Sequence, residues 1–197
     1  MEKVSLDELK AAQDIVYRHL KPTPEISWPL LSERAGCEVW VKHENHTPIG
    51  AFKVRGGLNY MDRLSREQPE VKGIISATRG NHGQSLAFAA SRYGIAATIL
   101  VPFGNNPEKN DAMRALGAEL EIIEAFDGGI TGALIQAMVD RAAEIAQEPG
   151  TFYTDQLNNP DMLKGFEKLG TEFLEALGAD GITAMCDTVG TAGTLMG

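Results

Sequence analysis

Between Gly73 and Tyr153 short apolar runs alternate with longer segments of helical periodicity, and this rhythm constrains the fold more than any other feature of the chain. Strands are expected at 73–77, 97–101, 119–123 and 151–153. The segments between them predict helices at 83–93, closed by Gly94, at 107–116, closed by Gly117, and within 129–147. Another helix is expected at 160–177. A strand followed repeatedly by a helix lets successive strands run parallel, because each helix carries the chain back across a sheet face. The fold class is therefore α/β, with open, mainly parallel, twisted sheets and flanking helices.

The flanking segments are less regular. Ser5 and Glu8 form a capping-box pattern ahead of a helix whose Leu6, Leu9, Ile15 and Val16 share one face, and Pro22 to Pro24 end it. A short strand is expected at 38–42, then a turn-rich stretch to Gly50, then a helix bearing Val54, Leu58, Met61 and Leu64 at helical spacing. At the far end a strand at 182–186 leads into a Gly-rich turn, and Leu195-Met196 reads as the first turn of a helix that does not continue. A strand–loop–helix unit without its helix leaves a sheet face uncovered, so the chain reads as C-terminally truncated.

With 197 residues, 43% apolar and 23% charged, the chain can bury a core without disulfides or metals. A net charge of -9 with no basic stripe argues against a nucleic-acid partner. Cys37 and Cys186 stand far apart without a CxxC, which argues against a disulfide framework or a cysteine zinc site. The charged residues within 1–10 do not form a signal peptide, and no apolar run reaches membrane-spanning length. A cytoplasmic location with no membrane partner is the expectation.

Three segments carry residues suited to chemistry. In the first, Lys53 follows the Gly50 turn at the mouth of a helix. The helix dipole and nearby Arg55 would disfavour its ammonium and favour the neutral amine that imine chemistry needs. A solvated lysine opening an amphipathic helix is the alternative. In the second, Thr78, Arg79, Gly80, Asn81 and His82 lie between a strand and a helix, at the carboxyl end where open α/β sheets bind ligands. Amides there could hold a carboxylate and Asn81 could bond a phenolic or carbonyl oxygen; a helix cap with incidental polar residues is the alternative. In the third, Gly190, Thr191, Ala192, Gly193 and Thr194 could surround a phosphate, or form a structural turn. Neither GxxxxGK[ST] nor GxGxxG is present. His43 and His46 flank Glu44 but lack HExxH or a third ligand, so no metal site is expected, and no GxSxG elbow supports a serine hydrolase.

In this order the three segments resemble the fold-type II pyridoxal-phosphate family, which includes threonine and serine dehydratases, serine racemase and cysteine synthase. The pattern KxExxxPxG[SA]FKxRG is met by Lys42, Glu44, Pro48, Gly50, Ala51, Phe52, Lys53, Arg55 and Gly56. Gly80, Asn81 and His82 match the GNH loop, and 190–194 match the Gly-rich phosphate loop. The resemblance implies a two-lobed architecture like the tryptophan synthase β chain. Residues 1–52 would begin the larger lobe, 53–147 would form the smaller, and 148–197 would return to the larger. It implies pyridoxal 5'-phosphate as cofactor, with Lys53 as the catalytic Schiff-base lysine, Asn81 on the ring hydroxyl, Gly190 to Thr194 on the phosphate, and 78–82 on the substrate carboxylate. A homodimer acting on a small amino acid is implied as well.

Within that family the two halves disagree. Residues 50–57 and 80–84 look like threonine dehydratase, whereas 155–160, 170–172 and 189–197 look more like cysteine synthase. The half around the reacting carbon carries more weight, so the expected activity is a threonine/serine ammonia-lyase making a 2-keto acid and ammonia from a β-hydroxy amino acid. Cysteine synthase-like β-replacement and a truncated, non-catalytic cofactor-binding fragment are the alternatives. Arg79 stands where dehydratases commonly have a small residue and serine racemase has its second acid/base serine. Racemisation is therefore disfavoured, and Arg79 is read as binding a carboxylate or closing the site. Asp187, three residues before the phosphate loop, would have to turn away from a phosphate.

Overall fold

The computed structural model describes residues 5–124, 131–154 and 160–186. Helix α1 (Leu6–Tyr17) opens on the expected capping box, with the Ser5 hydroxyl accepting from the Glu8 amide and the Ser5 amide donating to the Glu8 carboxylate. Strand β1 (Glu25–Ser27), helix α2 (Pro29–Ala35) and strand β2 (Trp40–Lys42) then form a small unit in which β1 and β2 pair antiparallel. β1 and α2 were not anticipated. The helix buries none of its residues, so it has no apolar stripe to read. Its signal is local: Pro29 in the first turn and Gly36 in the left-handed conformation at φ 70° just past the end.

Helices α3 (Lys53–Glu67), α4 (Asn81–Tyr93), α5 (Pro107–Ala115) and α6 (Gly132–Ile145) alternate with strands β3 (Gly73–Ala77), β4 (Ala96–Pro102) and β5 (Glu119–Ile123). Strand β6 (Thr151–Tyr153) and helix α7 (Pro160–Leu177) follow. The sheet order is β5-β4-β3-β6 with every pairing parallel, as the strand–helix alternation requires. β6 follows the 53–147 segment yet pairs with β3. The chain thus winds outward from β3 through β4 to β5, and α6 returns it across the sheet to the other side of β3.

Period-two burial divides the core. Ile74, Ile99 and Val101 face α3 and α4 in the larger cluster, while Ile75 and Leu100 face Met138 and Ala142 of α6 in a smaller one. Helix α3 is buried almost all round because α1, α4 and α7 all pack against it. Small residues permit that approach. A Cβ on Gly56 would lie 2.6 Å from the Met162 carbonyl and the Phe166 ring, and one on Gly165 would lie 2.6 Å from the Arg55 carbonyl. A Cβ on Gly57 would collide with the Ser85 hydroxyl of α4.

The expected strand at 182–186 is not formed. After α7 and a 3-10 turn at Ala179–Gly181 these residues run without regular structure, and all but Ile182 are exposed. An apolar run becomes a strand only beside a ladder partner, and no described strand lies there. Among the described residues no helix is long and apolar enough to cross a membrane.

Candidate active site

Lys53 is the first residue of α3, and the preceding loop fixes where it stands. Gly50 adopts φ 65° and donates to the Thr47 carbonyl at 2.9 Å. The Thr47 hydroxyl both donates to the Ala51 carbonyl (2.8 Å) and accepts from the Ala51 amide (2.9 Å), closing the turn from within. The Lys53 carbonyl accepts from the Ser85 hydroxyl of α4 at 2.6 Å. The Lys53 amino group sits 5.2 Å from the Phe52 ring centroid and 5.0 Å from that of Phe166, which meet edge to face. Burial here lowers the proton affinity of the amine below that of an ordinary lysine.

Arg55 has no part in that shift, contrary to the expectation that it would press on the Lys53 ammonium. It is completely buried and turned the other way. Its Nε and Nη2 donate to the two oxygens of Glu44, each at 2.9 Å, and its Nη1 donates to Glu172 of α7 at 2.6 Å. Lys42 pairs with Glu25 at 2.6 Å and also with Glu172, and the Tyr17 hydroxyl donates to Glu172 at 2.8 Å. Lys42, Glu44 and Arg55 thus form a structural charge cluster that ties β2 and α3 to α7, while the neighbouring lysine is left facing open space.

That space is a cavity of about 540 Å³ beyond the carboxyl ends of β3 and β4. Lys53 borders it, with Thr78, Arg79, Gly80, Asn81 and His82 on one side. Asn105, Asn106 and Lys109 line a second side, and Ile135, Met138 and Val139 of α6 a third. Thr78 is anchored by its amide to the Leu100 carbonyl at 3.0 Å. Gly80 precedes α4 without a side-chain cap hydrogen bond, and this helix mouth, Gly80 to His82, borders the cavity. Gly83 lets the helix press onto the sheet, since a Cβ there would collide with Met113. The cavity lies beside β3, where the winding reverses, which is where open α/β sheets place their ligands.

The structure therefore brings Lys53 and the 78–82 loop to one cavity. Residues 190–194, expected to hold a phosphate, lie outside the described residues, as does Asp187. Phe166, Lys109 and the α6 wall were missed. Their spacing in sequence carries no local signal, and only the strand order brings them to the cavity. Among the described residues no group of three or more His, Cys, Asp or Glu could hold a metal.

What the described residues offer fits pyridoxal phosphate: an amine of lowered proton affinity beside two aromatic rings, an amide side chain at a helix mouth, and a cavity of ligand size. Residues 16–197 match the family described as pyridoxal-phosphate dependent enzymes. The chain is 34% identical over 183 residues to threonine dehydratase 1 biosynthetic, chloroplastic, of Solanum lycopersicum, covering 92% of this chain and 28% of that protein. It is 32% identical over 174 residues to the L-threonine ammonia-lyase of Thermotoga maritima, covering 88% of this chain and 41% of that protein. A pyridoxal 5'-phosphate-dependent aspartate racemase superposes with TM-score 0.87 at 26% identity, over 99% of this chain and 57% of that one. A threonine deaminase from T.th. superposes with TM-score 0.75 at 28% identity, over 91% of this chain and 54% of that one. The chain spans between about a quarter and two-fifths of the length of these curated relatives.

Proposed function

Because the chain belongs to the pyridoxal-phosphate dependent enzyme family, we propose that its site serves an ammonia-lyase, converting a β-hydroxy amino acid such as L-threonine or L-serine to a 2-keto acid and ammonia. The observation that carries the reading is the half-buried Lys53 amine, facing the 78–82 loop across one cavity. The threonine dehydratase and ammonia-lyase relatives support elimination over replacement.

In this reading Lys53 anchors the cofactor covalently, Asn81 bonds its ring hydroxyl, and residues 190–194 hold its phosphate. The bound cofactor supplies an electron sink for charge that develops at the substrate's α-carbon. The remaining work falls to the protein. The loop from Thr78 to His82 holds the α-carboxylate, which fixes the α-carbon within reach of Lys53. The Lys53 amine, freed when the substrate's amine takes its place and of lowered proton affinity through burial, takes the α-proton. The Phe52 and Phe166 rings limit water on that side. A homodimer and the division into lobes at 1–52, 53–147 and 148–197 belong to the same proposal.

The test is the visible spectrum of the purified chain with pyridoxal phosphate, followed by keto-acid release from L-threonine and L-serine. A protein-bound imine band and turnover, both abolished in Lys53→Ala, are expected. Turnover surviving in Lys53→Ala, or no bound cofactor in the parent chain, refutes the proposal.

A further inference from the structure

Resting on the reading that Lys53 anchors the cofactor, we propose that Phe166 is a positioning residue for that lysine. Its ring, with that of Phe52, seats the Lys53 ammonium in the cofactor-free protein and so sets how readily Lys53 captures the cofactor's aldehyde.

The first argument is how the ring reaches the amine. Lys53 opens α3, and Gly56, three residues on, is its neighbour on the same helix face. Phe166 comes from α7 and fills the space that a side chain at 56 would take. A Cβ on Gly56 would lie 2.6 Å from its Cε1 and 2.8 Å from its Cζ. The bare backbone at 56 therefore lets a ring from another helix stand beside the amine. Phe166 is 4% exposed and belongs to the main core, so packing fixes the plane of its ring.

The second argument is the geometry of charge. The Lys53 Nζ stands over both rings, 5.0 Å from the Phe166 centroid and 5.2 Å from that of Phe52. Both distances lie within the roughly 6 Å over which a ring quadrupole attracts a cation. Burial and the rings act in opposite directions, since burial disfavours the ammonium and a π face favours it. Burial can move a lysine by up to about 3–5 pH units and a ring face by about one. Burial thus sets the direction, and the rings restore part of what it removes.

The third argument is that the charged groups nearby are otherwise engaged or of the wrong sign. Arg79 and Lys109 line the same cavity, with His82 beside them, and a cation there opposes an ammonium. On α3, Arg55 is spent on Glu44 and Glu172. On α7, Asp161 pairs with Arg63, Lys164 with Glu8, and Glu172 with Arg55 and Lys42. Among the described residues, the two rings are the groups placed to favour charge on Lys53.

Capture needs the uncharged form. The ammonium first gives a proton to water. The amine nitrogen then bonds to the aldehyde carbon, and the aldehyde oxygen leaves as water with the two remaining amine hydrogens. A ring that stabilises the ammonium holds Lys53 at the cavity and lowers its nucleophilic fraction.

The test is the titration of Lys53 in the chain freed of cofactor. Pulse acetylation across a pH series is read by peptide mass spectrometry, with the exposed Lys21 as internal standard. Phe166→Leu keeps apolar bulk without a π face, and pentafluorophenylalanine placed at 166 keeps a ring while reversing its quadrupole. Each should lower the Lys53 midpoint and speed its labelling at pH 7 about three- to tenfold, the change expected from one cation–π contact. The imine band that forms on adding pyridoxal phosphate should appear faster by a similar factor. A midpoint that stays or rises in the fluorinated chain overturns the inference and leaves Phe166 a wall of the pocket alone. A parent chain whose Lys53 titrates as expected yet takes up no pyridoxal phosphate overturns the ammonia-lyase reading while upholding the seat.

Discussion

Arg55 and Lys53 are two residues apart on one helix, and opposite environments give them opposite roles. Burial costs both cations solvation. Arg55 recovers it through two carboxylates, whereas Lys53 has aromatic rings beside it and drifts toward the neutral amine. Replacing Arg55 with Met would take from Glu44 and Glu172 the cation they share, leaving Thr23 on the first and Lys42 and Tyr17 on the second. Such a loss costs about 3–5 kcal/mol, measurable by urea unfolding. Arg55→Lys keeps the charge but cannot bridge both carboxylates, so its loss should be smaller, about 2 kcal/mol. The same cluster gives a pH signature. Burial alone would push the Glu172 carboxyl up, but hydrogen bonds from Arg55, Lys42 and Tyr17 overcome it and hold the group below its ordinary range. A carboxyl depressed in the folded state stabilises at pH above its unfolded value of about 4.3. That stability is lost as pH falls through the lower folded value. Acid unfolding of the parent should therefore steepen below about pH 4.3, and Arg55→Met, which leaves Lys42 and Tyr17 on Glu172, should show a shallower curve there.

At the scale of elements, the crossing of α3 and α7 decides whether the Lys53 pocket keeps its aromatic wall. Gly56 and Gly165 face each other there, and the atoms a new Cβ would meet are mostly backbone, which cannot swing aside. Gly165→Ala should force the helices apart, displace Phe166 from the Lys53 amine, and cost about 1–3 kcal/mol. Gly170→Ala, on the same helix with open space around it, should instead stabilise by about 0.5–1 kcal/mol through helix propensity. Thermal unfolding of the two variants would check the opposite signs, and equal effects would mean that the crossing is looser than described. None of this close packing was visible in the sequence, where both glycines look like propensity defects inside helical patterns. The helices themselves were readable, because Val54, Leu58, Met61 and Leu64 repeat at helical spacing whatever they pack against. The bounds of β3, β5, β6 and α7 agree with the expected ones for a similar reason: each is bracketed by Gly, Pro or a charged turn. The run at 182–186 has the composition of a strand but no described neighbour, so pattern alone misled there.

At the scale of the molecule, the sheet order made the site hard to foresee. Alternation implies parallel strands, but nothing in the sequence says that β6 returns to the far side of β3. That return lays α6 across the sheet and makes its Ile135, Met138 and Val139 a wall of the cavity. Lys53 and the 78–82 loop could be read from their motifs, while Lys109 and Phe166 depend on tertiary placement. The same topology makes the two faces unequal. Among the described residues, the face toward α3 and α4 buries a large cluster running from Val16 to Phe166, whereas the cluster beneath α6 has four buried members, Ile75, Leu100, Met138 and Ala142. Local opening follows the apolar area that must be exposed, so α6 should detach at lower free energy than α4. Amide hydrogen exchange by mass spectrometry should show α6 exchanging fastest of the sheet-covering helices, with Leu86 to Ala90 of α4 among the slowest segments. If the cavity is the functional site, a ligand spanning the 78–82 loop and the α6 wall binds only the closed arrangement, and linkage then slows α6 exchange in proportion to occupancy. Adding pyridoxal phosphate and an amino acid should protect α6 and leave α1 nearly unchanged. Protection of α6 equal to that of α4 in the free chain would remove the asymmetry on which this rests, and protection spread evenly over all helices would mean that the ligand acts on global stability instead of on this wall.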